Sequence, residues 1–457
     1  MKSLSGLSED ALQDVPDYRY FLTVDELNES SERLALEHPE RVALCQIGIS
    51  HRGARINALR IGKGKKNALL FAFPHPDEPI GGMTLEYFSR RLAENPDLDR
   101  LGYTWHIVKC IDPDGARLNE GWFRGPFTPM NMALNYYRPP QHQQVEWTFP
   151  IKYKTMVWTR PLPETKALMR LIRTTRPEFM YSLHNSGFGG VYFFLSAPCK
   201  PLYPKLYNLV RREGLPLHLG EPELPNMKTY ARAVFDMPPT SDYYEFMKKQ
   251  LKRDPAEVMK GGAGSDEYAA RFAKTFVLVC EMPHFYDPRI SDPSPSQVSR
   301  ADSVLSGLDS SEEALRFVSK NFRLLKGDLK GRRDLKPFVD AIQELVRTTP
   351  KHIEAHRTWA KSDKKLRRMA TVAEEFDSCT LRGFYDLLSI GLLHRCAKGA
   401  GRRKLDAEVL DFMRGLGDGL EKQLSYEAIP IRKLVRVQLG SALATVECLH
   451  GRGGTCR

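Results

Sequence analysis

The sequence predicts an α/β fold, in which a mixed central sheet is flanked by helices and followed by a smaller all-α region. Short apolar runs typical of strands alternate with helical patterns up to about residue 290, and later patterns are helical only. The segment SDPSPSQVSRADS between them has the Ser, Pro and Asp content of a linker. We therefore predict a first domain over residues 1–292, a linker over residues 293–303 and a helical domain over residues 304–457.

The first domain contains the elements expected for such a sheet. Apolar runs of strand length recur along it, and helical patterns separate them. The predicted strands are Arg41–Ile49, Arg55–Gly62, Asn67–Pro74, Tyr103–Ile111 and Phe179–Asn185, and the predicted helices are GGMTLEYFSRRLAENP, stopped by Pro96, and KALMRLIRTT. The segment GSDEYAARFAKTFVLVCEMP predicts a helix that leads into a final strand.

The composition argues against several classes of protein. No apolar run approaches the ~20 residues that a bilayer span needs, and MKSLSGLSEDALQDVPDYRYF lacks the basic and apolar segments of a secretory signal. The eight cysteines are scattered without a CxxC pair, so we expect reduced thiols rather than a thiolate zinc site. These observations predict a cytoplasmic protein with no membrane partner, and they leave the oligomeric state open.

The net charge of +12 is unevenly distributed, since residues 301–457 carry 29 Lys and Arg against 21 Asp and Glu. The basic stretch KSDKKLRRMA has little aromatic interleaving, which favours a solvated helix face over a nucleic-acid surface. HIEAH places two imidazoles one helical turn apart without a third ligand, and we interpret it as another solvated helix face. Nucleic acid is therefore not an expected partner.

Four polar residues follow apolar strands directly. His75 follows NALLFAF, Asp112 follows WHIVKCI, His184 follows FMYSL and Glu281 follows TFVLVC. Ligand sites of such sheets lie at the carboxyl ends of strands. We therefore predict that these strand ends meet at one edge of the sheet.

His75 and Glu78 form an H-x-x-E pair in PHPDEPIGG, on the turn that leaves a strand. An imidazole and a carboxylate at this spacing can bind one metal ion, and His184 in YSLHNSGFGG is the natural third ligand. Three protein ligands leave one coordination position open, as in catalytic zinc sites. Either signal alone is weak, since a lone His at a strand end is more often a structural hydrogen-bonding group.

The segment from about residue 20 to residue 290 resembles the zinc carboxypeptidase family, and its motifs occur in the family's order. FPHPDEPIGG and SLHNSG are similar to the two zinc motifs, and FVLVCEMP is similar to the strand that ends in the catalytic glutamate. DPDGARLN resembles the Asn-Pro-Asp-Gly segment with its Arg-x-Asn, and MALNYYRPP stands where the family has Leu-Asn-Arg. The resemblance does not extend to the C-terminal region.

The resemblance implies a role for each matching residue. One zinc ion would be held by His75, Glu78 and His184. Glu281 would act as the general base and then return the proton to the leaving amine. Arg117 would stabilise the developing oxyanion, and Asn135 would bind the substrate's terminal carboxylate.

Two departures concern substrate recognition. The arginine expected beside Asn135 is Tyr136 here, and Arg138, two residues on, either replaces it or is a surface arginine. The family's mobile tyrosine corresponds to Met259. The candidates to replace that tyrosine are Tyr243, Tyr244 and Tyr268.

The family's specificity position lies fifteen residues before the catalytic glutamate, which is Asp266 in GAGSDEY. A carboxylate there would favour a basic leaving residue, because a mismatched side chain would leave the carboxylate unpaired. The alternative is that Ser265 or Asp266 caps the following helix.

These residues predict a zinc metallocarboxypeptidase that releases a C-terminal, basic residue from a peptide or peptide-like amide. A second hypothesis is a zinc amidase or deacylase acting on a small N-acyl amino acid. A third is a non-catalytic binding protein, against which the retention of all three ligands and Glu281 argues.

Overall fold

A nine-stranded mixed sheet forms the centre of the computed structural model, which describes residues 4–221, 223–225 and 227–450. The strand order is β1-β2-β4-β3-β7-β11-β8-β10-β9. The bounds of these nine strands are β1 Val42–Ile49, β2 Arg55–Ile61, β3 Lys66–Ala72, β4 Tyr103–Val108, β7 Phe179–His184, β8 Tyr192–Leu195, β9 Thr229–Ala231, β10 Val234–Asp236 and β11 Phe276–Glu281. Short two-stranded pairings involve β5 Ile151–Tyr153, β6 Met156–Trp158, β12 Phe285–Tyr286, β13 Pro295–Ser299, β14 Met369–Thr371 and β15 Glu427–Ala428.

The helices cover the sheet and build most of the chain after residue 300. In the described part their bounds are α1 Leu4–Gln13, α2 Val24–Glu37, α3 Ile80–Glu94, α4 Pro113–Arg117, α5 Pro129–Asn135, α6 Pro163–Thr175, α7 Tyr203–Arg212, α8 Thr240–Leu251, α9 Ser265–Ala269, α10 Arg300–Leu325, α11 Lys336–Ser362, α12 Val372–Glu375, α13 Arg382–Gly399, α14 Arg403–Gln423 and α15 Ile431–His450. A π-helical turn, Phe376–Leu381, leads directly into α13. The mixed α/β architecture with a helical C-terminal region confirms the predicted fold class.

The middle of the sheet is parallel, and this arrangement brings the predicted strand ends together. β4, β3, β7 and β11 are neighbours that run in the same direction. β7 and β11 are buried along their whole length, as their apolar sequences predict. Their register pairs His184 with Glu281, so two of the candidate residues are direct neighbours across two hydrogen-bonded strands.

The predicted linker is not a linker in the structure. Pro295–Ser299 forms β13 and pairs with β14, and α10 begins at Arg300 with the Ser299 side chain capping its first turn. The segment has the Pro and Ser content of a linker, but these residues lie in an edge strand and at a helix N-terminus, where both types are common.

The C-terminal residues share their core with the first 290 residues. α15 packs against α3 and contacts both β7 and β11. Thr84 of α3 donates a hydrogen bond to Gln438 of α15, whose side-chain amide donates to the His184 carbonyl at 2.8 Å. The chain therefore returns to the central sheet after the helical insertion, and the core is continuous across the predicted boundary.

Two further expectations are wrong. The HIEAH imidazoles do not form a solvated face, because His352 and His356 pack against the aromatic rings of Tyr243 and Phe246 in α8. Cys199 is joined in a disulfide bond, so the cysteines are not all reduced. Both outcomes depend on contacts between residues far apart in the chain, which residue spacing does not reveal.

Over the described residues, no helix has the length and apolarity to span a bilayer.

Candidate metal centre and its cavity

Three buried side chains meet at the carboxyl ends of β3 and β7. The ligand atoms of His75, Glu78 and His184 all lie within 4.8 Å of one another. His184 Nδ1 is 3.0 Å from Glu78 Oε2, and the two imidazole rings are 5.0 Å apart. The structure thus brings together the three ligands predicted from PHPDEPIGG and YSLHNSGFGG.

The turn after β3 is shaped to deliver His75 and Glu78. Phe73 has a φ of +56°, an uncommon conformation for a bulky residue, and it redirects the chain at the end of the strand. α3 then starts close to the sheet, since a methyl group at Gly81 would lie 2.7 Å from Leu183 Cβ. The backbone N–H of Ile80 donates to the Asn185 side chain at 3.0 Å, which ties the start of α3 to the residue after His184.

The donor set fits a divalent metal ion. His75 Nδ1 is buried and has no hydrogen-bond partner among the described residues, which would cost free energy unless a ligand occupied the position. Two imidazole nitrogens and one carboxylate with an open position are typical of catalytic zinc. Although burial lowers the pKa of His184, the Glu78 and Glu281 carboxylates raise it to about 9. The site therefore attracts positive charge at this point.

A second layer of residues holds His184. Its Nε2 lies 2.9 Å from Ser182 Oγ, and Ser182 Oγ donates to Glu146 at 3.4 Å. Glu146 is fixed in turn by Ser265, whose N–H and hydroxyl donate to it at 3.0 and 2.7 Å. Such outer partners leave the other imidazole nitrogen free for a metal and set the orientation of the ring.

Glu281 lies beside the ligands without being one of them. Its Oε1 is 3.8 Å from His184 Nδ1, and the side chain is buried in the cavity wall. Burial raises the pKa of Glu281 well above its usual range; the His184 cation opposes this shift, and Glu223 adds to it. A carboxylate with a raised pKa next to a metal site can accept a proton and return it.

Arg138 is placed at the centre, in contact with two carboxylates. Its Nη1 donates to Asp77 and to Glu78, both at 3.1 Å. Arg138 and Tyr136 line the same cavity as the metal ligands. Arg138 is therefore not a surface arginine, although its guanidinium is already engaged by protein carboxylates.

The structure does not bring Arg117 or Asn135 to this cavity. Arg117 is exposed at the end of α4 and donates to Asp25 at 2.9 and 2.6 Å. Asp112 caps α4 by accepting from Gly115 at 2.9 Å, so this strand-end carboxylate directs a short helix away from the ligands. Asn135 donates to the Asn131 carbonyl at 3.0 Å, and its side chain lies against Gly121.

Asp266 lines the cavity at the first turn of α9. The N-cap of α9 is Gly264, so neither Ser265 nor Asp266 has the predicted capping role. Burial raises the pKa of Asp266 to about 7, and the charges of Glu146 and Glu267 add to the shift. A cation would relieve this repulsion between carboxylates.

One cavity of about 790 Å³ contains the three ligands and Glu281. Among the described residues, ten carboxylate and three guanidinium side chains line it, in a chain whose net charge is +12. Residues of α10, α11 and α13 form part of the lining, which we call the helical wall. We call the cavity-lining ends of β3, β7 and β11 the strand wall.

Sequence reasoning missed several cavity residues. Trp147 stacks on His75 with a ring separation of 6.3 Å, and Glu223 accepts a hydrogen bond from Tyr192 at 2.8 Å. Of the three candidate tyrosines, Tyr243 lines the cavity. The sequence signal for Glu146 and Trp147 was the segment HQQVEWTF, in which a carboxylate and an indole are adjacent.

Comparisons with known proteins agree with the ligand geometry. Residues 27–219 match the family model described as Zinc carboxypeptidase. The curated relative Zinc carboxypeptidase A 1 of Anopheles gambiae is 25% identical over 126 residues, covering 24% of this chain and 29% of the relative. The chain thus spans less than a third of that relative's length.

Two solved structures with similarity to this chain are named as carboxypeptidases. Carboxypeptidase A from Helicoverpa armigera is 15% identical, with a TM-score of 0.41, over 62% of this chain and 70% of that chain. A metallo-carboxypeptidase from Burkholderia cenocepacia is 15% identical, with a TM-score of 0.35, over 59% and 61%. The family match ends before Asp266 and Glu281, so the assignment of these two residues rests on their geometry.

Proposed function

We propose that this chain, whose residues 27–219 match the Zinc carboxypeptidase family model, is a metallocarboxypeptidase that removes a basic C-terminal residue from a peptide or peptide-like amide. The observation that carries the proposal is the meeting of His75, Glu78 and His184 within 4.8 Å, with Glu281 beside them. Three ligands and an adjacent carboxylate are the minimum set for metal-assisted hydrolysis.

The chain's residues have separate tasks in this reaction. Zinc, when bound by the three ligands, would supply a Lewis acid that polarises the substrate carbonyl. Glu281 accepts a proton from the attacking water at its carboxylate and gives it to the leaving amine nitrogen. Arg138 lies 3.1 Å from Glu78 and keeps positive charge next to the position where the carbonyl oxygen becomes negative.

The charge of the cavity supports a basic substrate. Ten lining carboxylates face three guanidinium groups, and the three guanidinium side chains are Arg138, Arg300 and Arg382. The raised pKa of Asp266 marks a carboxylate without a compensating cation. A lysine or arginine side chain would supply that cation, whereas a neutral side chain would leave the carboxylate unpaired.

A zinc amidase that cleaves a small N-acyl amino acid is the second candidate. The helical wall supports it, because Val304, Leu308 and Val318 present aliphatic side chains to the cavity and are buried. A cavity of about 790 Å³ is within the size range of small-molecule sites.

Release of free amino acid from two matched panels tests the proposal. The first panel varies the C-terminal residue of a tripeptide, and the second varies the acyl group on lysine. We expect lysine and arginine to be released fastest from the tripeptides, with Glu281→Gln lowering kcat by roughly 10²- to 10⁴-fold at unchanged metal content.

Asp386→Asn is the matched control, since Asp386 lines the same cavity and its carboxylate is held by Ser311. Normal turnover in Glu281→Gln would refute the general-base role. Preferential cleavage of the acyl-lysine panel would replace the peptidase by the amidase.

A further inference from the structure

The cavity of the proposed enzyme is acidic and offers few places for an anion. Apart from the metal ligand His184, the cationic side chains in its described lining are three guanidinium groups, those of Arg138, Arg300 and Arg382. A peptide substrate with a free C-terminus carries a carboxylate that must lie near one of them, because the ten lining carboxylates repel it elsewhere.

Two of these three arginines are already committed to protein carboxylates. Arg138 donates to Asp77 and Glu78. Arg300 is fully buried, forms an ion pair with Glu221 and donates to Ser378 at 2.7 Å. Removing Arg138 from its partners would leave buried carboxylates without a counterion, and removing Arg300 from Glu221 would leave its own fully buried guanidinium unpaired, so neither is available to a substrate.

Arg382 differs from both. Its guanidinium makes no hydrogen bond and no ion pair with any residue that the structure describes, although it lines the cavity and is half-buried. Burial raises the pKa of Asp386 and the charge of Arg382 lowers it, but that carboxylate accepts from the Ser311 hydroxyl, which lies 3.0 and 3.1 Å from its two oxygens. Arg382 is therefore the one uncommitted arginine in the described lining.

The first turn of α13 is fixed towards the cavity. A methyl group at Gly307 of α10 would overlap the Ser378 carbonyl and lie 3.4 Å from Arg382 Cδ, so the two elements are in close contact there. The π-helical turn before α13 contributes Asp377, which accepts a hydrogen bond from the Glu221 N–H at 2.7 Å. Irregular helical turns of this kind are common at functional sites.

Tyr385, one turn after Arg382, shows which way this face points. Tyr385 keeps 45% of its surface exposed, and its side chain lines the cavity together with Arg382. Glu281 lines the same cavity, and its negative charge raises the pKa of Tyr385. The helical wall thus presents its free guanidinium to the chamber that holds the metal ligands.

We propose that Arg382 is the carboxylate-binding residue of the cavity, supplied by α13 of the helical wall. This inference rests on the proposed function for the identity of the substrate. The guanidinium fork matches the two oxygens of a carboxylate, and a charge-assisted pair of this type binds more strongly than a neutral one. Selection for an anionic group and selection for a basic side chain then come from two different parts of the fold.

Equilibrium binding to the metal-loaded protein tests the proposal without turnover. Calorimetry compares arginine with argininamide, and N-succinyl-argininamide with N-acetyl-argininamide, in wild type and in Arg382→Gln and Arg382→Lys. We expect wild type to bind at least one carboxylate-bearing probe roughly 10- to 100-fold more tightly than its neutral partner. Arg382→Gln should remove this difference and leave the neutral probes unchanged, and Arg382→Lys should retain part of it.

The two probe pairs identify the source of the carboxylate. A difference within the first pair places it on the released residue, and a difference within the second places it on the acyl side. Arg403→Gln, an exposed arginine of α14 outside the cavity lining, should change neither pair. A wild-type protein that ignores the carboxylate, or an Arg382→Gln variant that keeps the preference, would overturn the proposal. Dependence on Arg382 in a protein that cleaves no peptide would uphold it and reject the peptidase activity instead.

Discussion

The strand wall and the helical wall build the same cavity by different means. In the strand wall, hydrogen-bond register sets the positions, since His184 and Glu281 are paired residues of neighbouring parallel strands. In the helical wall, packing sets them, through the contact at Gly307 and the Arg300–Glu221 ion pair. Under the proposed function, the metal ligands and Glu281 follow or end hydrogen-bonded strands, whereas the two residues proposed to select the substrate, Asp266 and Arg382, lie on helices α9 and α13.

The largest expected effect distinguishes the selection of a basic substrate from the hydrolytic reaction itself. Asp266→Asn removes the carboxylate proposed to pair with a basic side chain, and a lysine substrate then loses an ion pair in a desolvated site. We expect kcat/KM for a lysine-terminated peptide to fall roughly 30- to 1,000-fold, with a leucine-terminated peptide almost unaffected. Steady-state kinetics on the two peptides measures the ratio.

Asp386→Asn is the control from the helical wall, since Asp386 lines the same cavity and is held by Ser311. The pH dependence sharpens the test. The pKa of Asp266 is raised to about 7, so its charge is present above pH 7 and is lost below it. The preference for lysine should therefore fall by up to about tenfold for each pH unit below 7 and be independent of pH in Asp266→Asn. A lysine preference unchanged in that variant would contradict the assignment.

A smaller effect tests the strand wall. Ser182→Ala removes the 2.9 Å contact to His184 Nε2 and the link to Glu146. We expect the metal dissociation constant to rise 10- to 100-fold, as for other outer-shell partners. Competition with a chelator of known affinity measures it. The control is Ser186→Ala, at a cavity serine whose buried hydroxyl has no partner among the described residues, and it should leave metal affinity unchanged. Equal losses of metal affinity in both variants would reject the role of Ser182.

The smallest expected effect concerns the ion pair that helps to hold the helical wall in place. Arg300→Met keeps an unbranched apolar stem and removes the guanidinium that pairs with Glu221 and Ser378. We expect the free energy of unfolding to fall by about 1–2 kcal/mol, because the ion pair is lost. The loss is small because the freed Glu221 carboxylate regains part of its hydration. Urea denaturation measures the loss, and metal affinity should not change. An Arg300→Met variant of wild-type stability would show that packing alone seats the helical wall.

Six of the nine strands could be predicted from the sequence because they are apolar runs bounded by turns, whereas β8, β9 and β10 were missed because they are only three or four residues long. Observed strands such as Val42–Ile49 and Tyr103–Val108 differ from the predicted ones only at their ends. The predicted linker failed because residues 295–299 have the composition of a linker and the hydrogen bonds of an edge strand. The return of α15 to the sheet could not be predicted, since its pairing with α3 depends on contacts more than 350 residues apart along the chain.

The residues of the candidate site differed in the same way in how far the sequence predicted them. His184 and Glu281 end apolar strands, and His75 and Glu78 lie on the turn after one, so the strand patterns and the motif spacing located them. Arg382 and Tyr385 lie on α13, in a helical pattern that gives no sign of which cavity its polar face lines. Arg117 and Asn135 were assigned from motif order, which did not reveal that the one pairs with Asp25 and the other with Asn131.

Metal content of the purified protein tests the central claim most directly. Elemental analysis after exhaustive dialysis should find close to one zinc per chain in wild type and almost none in His75→Asn and His184→Asn. His284→Asn is the matched control, since His284 is a buried cavity histidine whose Nε2 also has no partner in the described structure, and it should keep the metal. Wild-type protein without zinc, or retention of zinc in the His184→Asn variant, would contradict the account.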